Sequence, residues 1–305
     1  MAAATPEFIL YAQHGWADTG QRLASLAAHI TDSQTIVVAP SLGFVKTWIR
    51  IEPLIQAVEA IVLETSIRYP ETPMRIIGHS MGGLIWLELL SRYPDWCSRV
   101  ESLVLVGSPI GGSDWGRMLD PLGWGIGIAR DLGINRRILA EAIVAQIPTL
   151  VIAGDVDGGS DGTITVESTK VFGASFVSLP GVSHAALRDH PLVAEAIQQF
   201  WAIPKGPVPL PPEPDLAQLV IKRLQTVPGM TDAHQRDFAK ATVYLTFEDG
   251  ATLRVWKHPL GMPHIFVASP EGTCLYGGFV GWQHVENLDQ ILAVLQQEQA
   301  AGFLD

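Results

Sequence analysis

At 305 residues the chain is long enough for one large α/β domain and a smaller one. With 48% hydrophobic and 17% charged residues it can fill a sizeable core, and no apolar run approaches the ~20 residues that cross a bilayer. A net charge of −11 without a Lys/Arg cluster argues against nucleic acid as a partner and against electrostatic attraction to anionic lipid, while purely apolar contact with a membrane stays open. The stretch Met1–Glu7 has neither a basic region nor a long apolar one and does not read as a secretory signal. The two cysteines, Cys97 and Cys274, lie far apart and match no metal spacing; a reducing, cytoplasmic compartment with ordinary semi-buried thiols fits them.

Strands and helices alternate through the first two thirds. Phe8–Ala12 is a short apolar run, expected as a buried strand, and Asp18–Ile30 has helical spacing. Thr35–Ala39 is β-rich and stops at Pro40; Trp48–Arg68 holds a long helical pattern with Pro53 near its first turn. Further strands are expected at Met74–Ile77, Leu103–Val106, Thr149–Ala153 and Ser175–Leu179, with helices at Met81–Ser91 and Leu192–Trp201. This alternation implies right-handed crossovers and a parallel sheet covered on both faces.

Residues 110–147 break the pattern. Gly111, Gly112, Trp115, Leu119, Leu122, Trp124, Ile126 and Ile128 precede a helical segment around Arg137–Ala145. The segment is too long for an ordinary connection and reads as a small cap over the site. Six prolines between 204 and 214 mark an extended linker. A small α+β domain, 215–305, is expected beyond it. Asp215–Gln225 is helical in pattern. Ala241–Phe247 pairs with Thr252–Lys257 around Glu248-Asp249-Gly250, and His264–Ser269 pairs with Thr273–Phe279 around Pro270-Glu271-Gly272. Leu288–Gln297 is a final helix, so the expectation is a four-stranded antiparallel meander with helices. Its Tyr244, Trp256, Phe266, Tyr276, Phe279 and Trp282 read as core more readily than as a surface for a protein partner, which the module remains a candidate to bind.

The chemistry concentrates in Gly78-His79-Ser80-Met81-Gly82-Gly83, at a strand end that runs into a helix. A serine that attacks a carbonyl must project from a very tight turn, and a side chain two residues to either side would collide with that turn. The helix that follows aims its first N–H groups at developing negative charge. Downstream, Thr149–Ala153 opens into a loop with Asp155, Asp157 and Asp161, and Ser175–Leu179 opens into Pro180-Gly181-Val182-Ser183-His184. The order serine, acid, histidine is the one a nucleophile, its base and an orienting carboxylate take on such a sheet.

With Gln13-His14-Gly15-Trp16, Ser160–Ser168 and Gly181–His184, these motifs make residues 7–202 resemble an α/β-hydrolase of the small serine lipase/esterase type. The resemblance implies a reduced, six-stranded, mainly parallel sheet, since the antiparallel strands that usually precede the first strand are missing. It implies hydrolysis of carboxylic esters without cofactor, and it does not extend to residues 205–305; the three aspartates after Gly154 lack the EF-hand spacing of a cation site. It also implies roles: Ser80 as nucleophile, His184 as base, and the backbone N–H groups of Trp16 and Met81 as oxyanion hole. Asp161 matches the family's Asp-x-x-Val/Ile pattern, whereas Asp157 keeps the usual distance from Gly154; both stay open, with Asp161 preferred. His190 reads as a helix-start residue, His79 as packed beside the sheet, and His14 as shaping the oxyanion loop. The apolar cap points to a hydrophobic acyl or lipid ester and to a cytoplasmic, membrane-peripheral protein. An acyltransferase or thioesterase on the same residues, or a binding protein that kept the fold, is the alternative.

Overall fold

The computed structural model describes residues 5–113, 127–203, 213–259 and 261–302. Two compact units divide the chain, one of residues 1–110 with 136–211, the other of 111–135 with 212–305.

The first unit is built on β1 (Phe8–Gln13), β2 (Thr35–Val38), β3 (Met74–His79), β4 (Val100–Val106), β5 (Thr149–Asp155) and β6 (Ser175–Pro180). They form one six-stranded sheet in the order β2-β1-β3-β4-β5-β6, and every pairing is parallel. Central strands covered on both faces must be apolar at consecutive positions, and β1 is: Ile9 to Ala12 are all buried. Alternate residues then serve opposite faces. Leu10 and Ala12 join Ile77, Val104 and Ile152 under helix α1 (Gln21–Ile30) and the helix Pro191–Ala202. Tyr11 faces the other way, its ring 5.0 Å from that of Trp86 on α3 (Met81–Arg92).

Helix boundaries follow local backbone chemistry. The periodic pattern from Asp18 becomes helical only at Gln21, because Gly20 adopts a left-handed conformation (φ 79°). Likewise α2 (Glu52–Arg68) starts at Glu52 with Pro53 in its first turn, and Trp48 lies in a separate turn, Lys46–Trp48. Helix α3 is buried nearly all round from Met81 to Leu90, as befits an element enclosed by sheet and helices.

In the second unit, β7 (Met230–Asp232), β8 (Thr242–Thr246), β9 (Thr252–Lys257), β10 (Pro263–Ala268) and β11 (Cys274–Val280) form an antiparallel sheet in the order β7-β11-β10-β9-β8. The two hairpins are those expected. The fifth strand, β7, corrects the four-stranded expectation: three residues reading Met-Thr-Asp carry no alternation to detect. The helices Leu216–Gln225 and Val285–Ala300 cover one face through Val220, Leu224, Leu288, Leu292 and Leu295, against Leu253, Ile265 and Val267. Phe266, Tyr276 and Phe279 are buried, whereas Tyr244 and Trp282 are exposed.

Residues 111–113 and 127–135, part of the segment read as a cap, fold with this second unit. The Ser113 N–H donates to the Leu132 carbonyl at 3.0 Å, and Asn135 Nδ2 donates to the Gln225 carbonyl at 2.9 Å. Trp115, Leu119, Leu122, Trp124 and Ile126 lie outside the described residues, as does most of the proline-rich stretch. The helix expected near Arg137–Ala145 is present at Arg137–Val144, in the first unit, with Ala140, Ile143 and Val144 buried. Both cysteines are free. Among the described residues, no helix is long and apolar enough to cross a membrane.

Trp86 is fully buried on the helix that carries the serine turn. Trp86→Ala should therefore cost about 3–5 kcal/mol of stability, read as a lowered urea midpoint with an unchanged slope.

Candidate active site

The loops after β1, β3, β4, β5 and β6 all leave from the C-terminal edge of the sheet. The strand order turns back at β1, which lies between β2 and β3, so the chain leaves β1 and β3 toward opposite sides of the sheet, at the point where open α/β sheets place a ligand crevice. Ser80 sits at that point, between the end of β3 and the start of α3, with φ 55° and ψ −125°. A non-glycine residue in this region is strained by about 1–3 kcal/mol and persists only where its surroundings fix it. Here the Ser80 N–H donates to the Val106 carbonyl at 2.8 Å, tying the turn to β4.

The flanking glycines are steric necessities. A Cβ on Gly78 would lie 2.5 Å from the Gly83 Cα, inside the turn itself. A Cβ on Gly82 would lie 2.1 Å from the Gln13 carbonyl oxygen, so that glycine is required by the end of β1 rather than by the turn. Gly15 is equally constrained, since its Cβ would fall 2.7 Å from the Ser80 Cβ and 3.2 Å from the Met81 nitrogen. The Gly15-Trp16 backbone therefore runs directly against the serine and the first N–H of α3.

The three aspartates after β5 divide their work. Asp155 Oδ1 accepts the N–H groups of Gly158 and Gly159, and Asp157 accepts the N–H and hydroxyl of Ser160. Both are turn-forming carboxylates. Asp161 Oδ1 accepts from the Thr163 N–H (2.9 Å) and the Ile164 N–H (2.6 Å), which leaves Oδ2 facing His184 Nδ1 at 2.6 Å. The structure thus brings Asp161, and not Asp157, to the histidine. His184 Nε2 lies 3.0 Å from Ser80 Oγ. With Nδ1–H donated to the carboxylate, Nε2 is left as the acceptor for the serine hydroxyl.

Two further contacts were not evident from the sequence, and a third carries out the loop-shaping role expected of His14. His79, expected beside the sheet, is buried with its ring centroid 4.9 Å from that of His184, and its Nε2 donates to the His184 carbonyl at 3.1 Å. Burial, and then the neighbouring His184, hold its pKa well below the ordinary imidazole value. Its position directly before the serine was the available signal. Gly107, at the end of β4, has φ 57°, and a Cβ there would stand 3.3 Å from His184 Nδ1 and 3.4 Å from Asp161 Oδ2. Finally, His14 fixes the loop after β1: its Nδ1 donates to the Gly15 carbonyl (2.8 Å), and its Nε2 accepts the Leu42 N–H (2.9 Å). Burial lowers the His14 pKa, which keeps that ring neutral in this role. His190 caps the helix Pro191–Ala202 through Leu192 N–H. Among the described residues, no group of His, Cys, Asp and Glu could hold a metal ion.

Residues 4–122 match the sequence profile of the Hydrolase_4 family, described as serine aminopeptidase, S33. The first unit of this chain has the α/β-hydrolase fold. Among solved structures, the Bacillus licheniformis lipase BlEst2 in its propeptide form is similar at 10% identity and a TM-score of 0.51, over 91% of this chain and 72% of that one. The same lipase in mature form gives 12% identity and a TM-score of 0.49, over 65% and 93%. A monoacylglycerol lipase of Paleococcus ferrophilus gives 16% identity and a TM-score of 0.43, over 64% and 96%. At 10% identity the likeness to the propeptide form is one of fold. A span of 91% extends past residue 203, so the likeness to the propeptide form takes in part of the C-terminal unit, beyond the reach of the sequence motifs. No curated protein matches the chain.

The depressed pKa of His79 sets a direction for stability. Below about pH 6.5 the unfolded chain protonates this ring while the folded protein resists, so stability falls as pH drops from there toward the folded-state pKa. The slope contributed is at most ~1.4 kcal/mol per pH unit. Thermal melts across this range should show a falling melting temperature, with a shallower fall in His79→Gln than in the parent.

Proposed function

We propose that the protein is a serine hydrolase of carboxylic esters with hydrophobic acyl groups, working through an acyl-enzyme. The observation that carries this reading is the continuous hydrogen-bonded line from Asp161 Oδ2 through His184 to Ser80 Oγ, 2.6 and 3.0 Å, ending on a strained strand-to-helix turn.

The reading assigns each step to a residue of this site. His184 Nε2 takes the Ser80 proton as Oγ attacks the ester carbonyl. Asp161, held by two backbone N–H groups, keeps the imidazole in the Nδ1–H tautomer and stabilises its cation. The oxyanion that forms is met by the backbone N–H of Met81, at the N-terminus of α3, and by that of Trp16 beside Gly15. Such donors stabilise a transition state by about 3 kcal/mol each. His184 then protonates the departing alcohol, and water releases the acid by the reverse sequence. His79, acting through the His184 carbonyl, is a positioning residue for the base.

The preference for a hydrophobic acyl group is supported by the aromatic surface next to Gly15, where the Trp16 and Trp48 rings lie 4.3 Å apart. The proposal predicts that Ser80→Ala lowers turnover of p-nitrophenyl esters by a factor on the order of 10⁶ and abolishes fluorophosphonate labelling. A series of rising acyl length should show increasing kcat/KM. Equal rates for wild type and Ser80→Ala would overturn the assignment, and preferential turnover of thioesters, or transfer to added alcohols, would redirect it to the same residues in another acyl-transfer reaction. Gly107→Ala, whose Cβ would press on Leu187 Cδ1 at 2.9 Å and crowd the Asp161–His184 pair at a positive φ, should lower kcat by about tenfold or more and lower the melting temperature without abolishing the folding transition.

A further inference from the structure

Between Asp32 and Glu52 the chain carries no acidic residue, in a protein that has 31 of them against 20 Lys and Arg. Within that stretch, Phe44-Val45-Lys46-Thr47-Trp48-Ile49-Arg50 forms a short loop and turn after β2. Four large apolar side chains in six residues stand in solvent: Phe44 is 51% exposed, Val45 74%, Trp48 47% and Ile49 61%. Single exposed hydrophobics need no explanation, but a contiguous group does. These side chains do not fill gaps in the core; Thr47 does that, buried and donating to the Phe44 carbonyl at 2.7 Å. The outward set is therefore built, with one residue anchoring it and four projecting.

We infer that the Phe44–Arg50 tip docks the protein on a lipid surface, preferentially an anionic one. The occupant is chosen by shape and charge. Small-molecule sites are concave, whereas these four side chains, 47% to 74% exposed, project outward, which suits a deformable partner. An aromatic and aliphatic set around Lys46 is the composition that sits at the boundary of headgroups and acyl chains, rings and alkyl groups inward and the ammonium at headgroup level. The overall charge of −11 opposes approach to an anionic surface, but salt screens charges beyond ~8 Å, so those nearest the surface weigh most. Glu52, the first acid after the tip, is paired with Arg92 at 2.6 Å.

The tip is joined to the catalytic edge. Thr47 Oγ1 accepts the N–H of Ala17, a residue held at φ 52°, at 3.0 Å; Leu42 N–H donates to His14; and Trp48 packs on Trp16. Docking there would bring the oxyanion side of the crevice to the phase in which long-chain esters dissolve. That consequence rests on the proposed ester hydrolysis; the docking itself does not.

The test uses the full chain carrying Ser80→Ala, so that lipid is not consumed, sedimented with phosphatidylcholine vesicles with and without phosphatidylserine. Binding is expected to both, severalfold stronger with phosphatidylserine. Val45→Ser with Ile49→Ser should weaken binding to both by about tenfold or more, and Lys46→Glu should weaken it only where phosphatidylserine is present. Thermal melting checks that the variants are folded. No binding, or equal binding by the Val45→Ser/Ile49→Ser protein, overturns the proposal. So does a dimer in gel filtration that this double variant abolishes without any vesicle binding by the parent, since the tip would then serve a second copy. Vesicle binding by a chain that fails to hydrolyse any ester would leave the docking intact and remove the enzymatic reading instead.

Discussion

The backbone of Ser80 cannot relax. Its positive φ is held from three sides: by the hydrogen bond to Val106 on β4, by Gly83 pressed against Gly78, and by Gly82 against the Gln13 carbonyl at the end of β1. Each support comes from a different strand, so the turn exists only when β1, β3 and β4 are correctly paired. A local strain of about 1–3 kcal/mol is sustained by the packing of the whole sheet. The apolar strands and the fully buried α3 are thus conditions for the site as well as contributors to stability.

Neutral histidines make up the next layer. His14 and His79 are both shielded from protonation by burial and both hold backbone groups, one in the loop after β1 and the other at the carbonyl of His184. Neither needs to change charge in order to work. Because Nδ1 of His184 is committed to Asp161, and the other oxygen of Asp161 is committed to two N–H groups, the line to Ser80 has one arrangement rather than several. Rigid placement of this kind is what acyl transfer requires of its catalytic groups.

Much of this was legible in the sequence because it is encoded locally. Apolar runs bounded by Gly and Pro gave the strands of the first unit, and the hairpin turns Glu248-Asp249-Gly250 and Pro270-Glu271-Gly272 gave four strands of the second. The pentapeptide around Ser80 and the positions of Asp161 and His184 after successive strands were visible for the same reason. What was hidden depends on residues far apart in sequence. β7 is a strand only because β11 lies beside it. His79 reaches a carbonyl 105 residues away, and Gly107 is constrained by the pair it adjoins. The choice between Asp157 and Asp161 turned on which carboxylate Ser160 occupies, a contact that spacing alone does not reveal.

The discontinuous second unit bears on how the chain comes into being. Residues 111–113 and 127–135 leave the ribosome well before the strands of the unit they fold with, β7 to β11. At about 5–20 residues per second, that excursion waits on the order of ten seconds for its partner. Meanwhile β5, β6 and the helix Pro191–Ala202 emerge and can complete the first sheet. Synthesis therefore makes every strand of the first sheet available before any strand of the second, and the residues after 110 that belong to the second unit meet their partners only when the last hundred residues arrive.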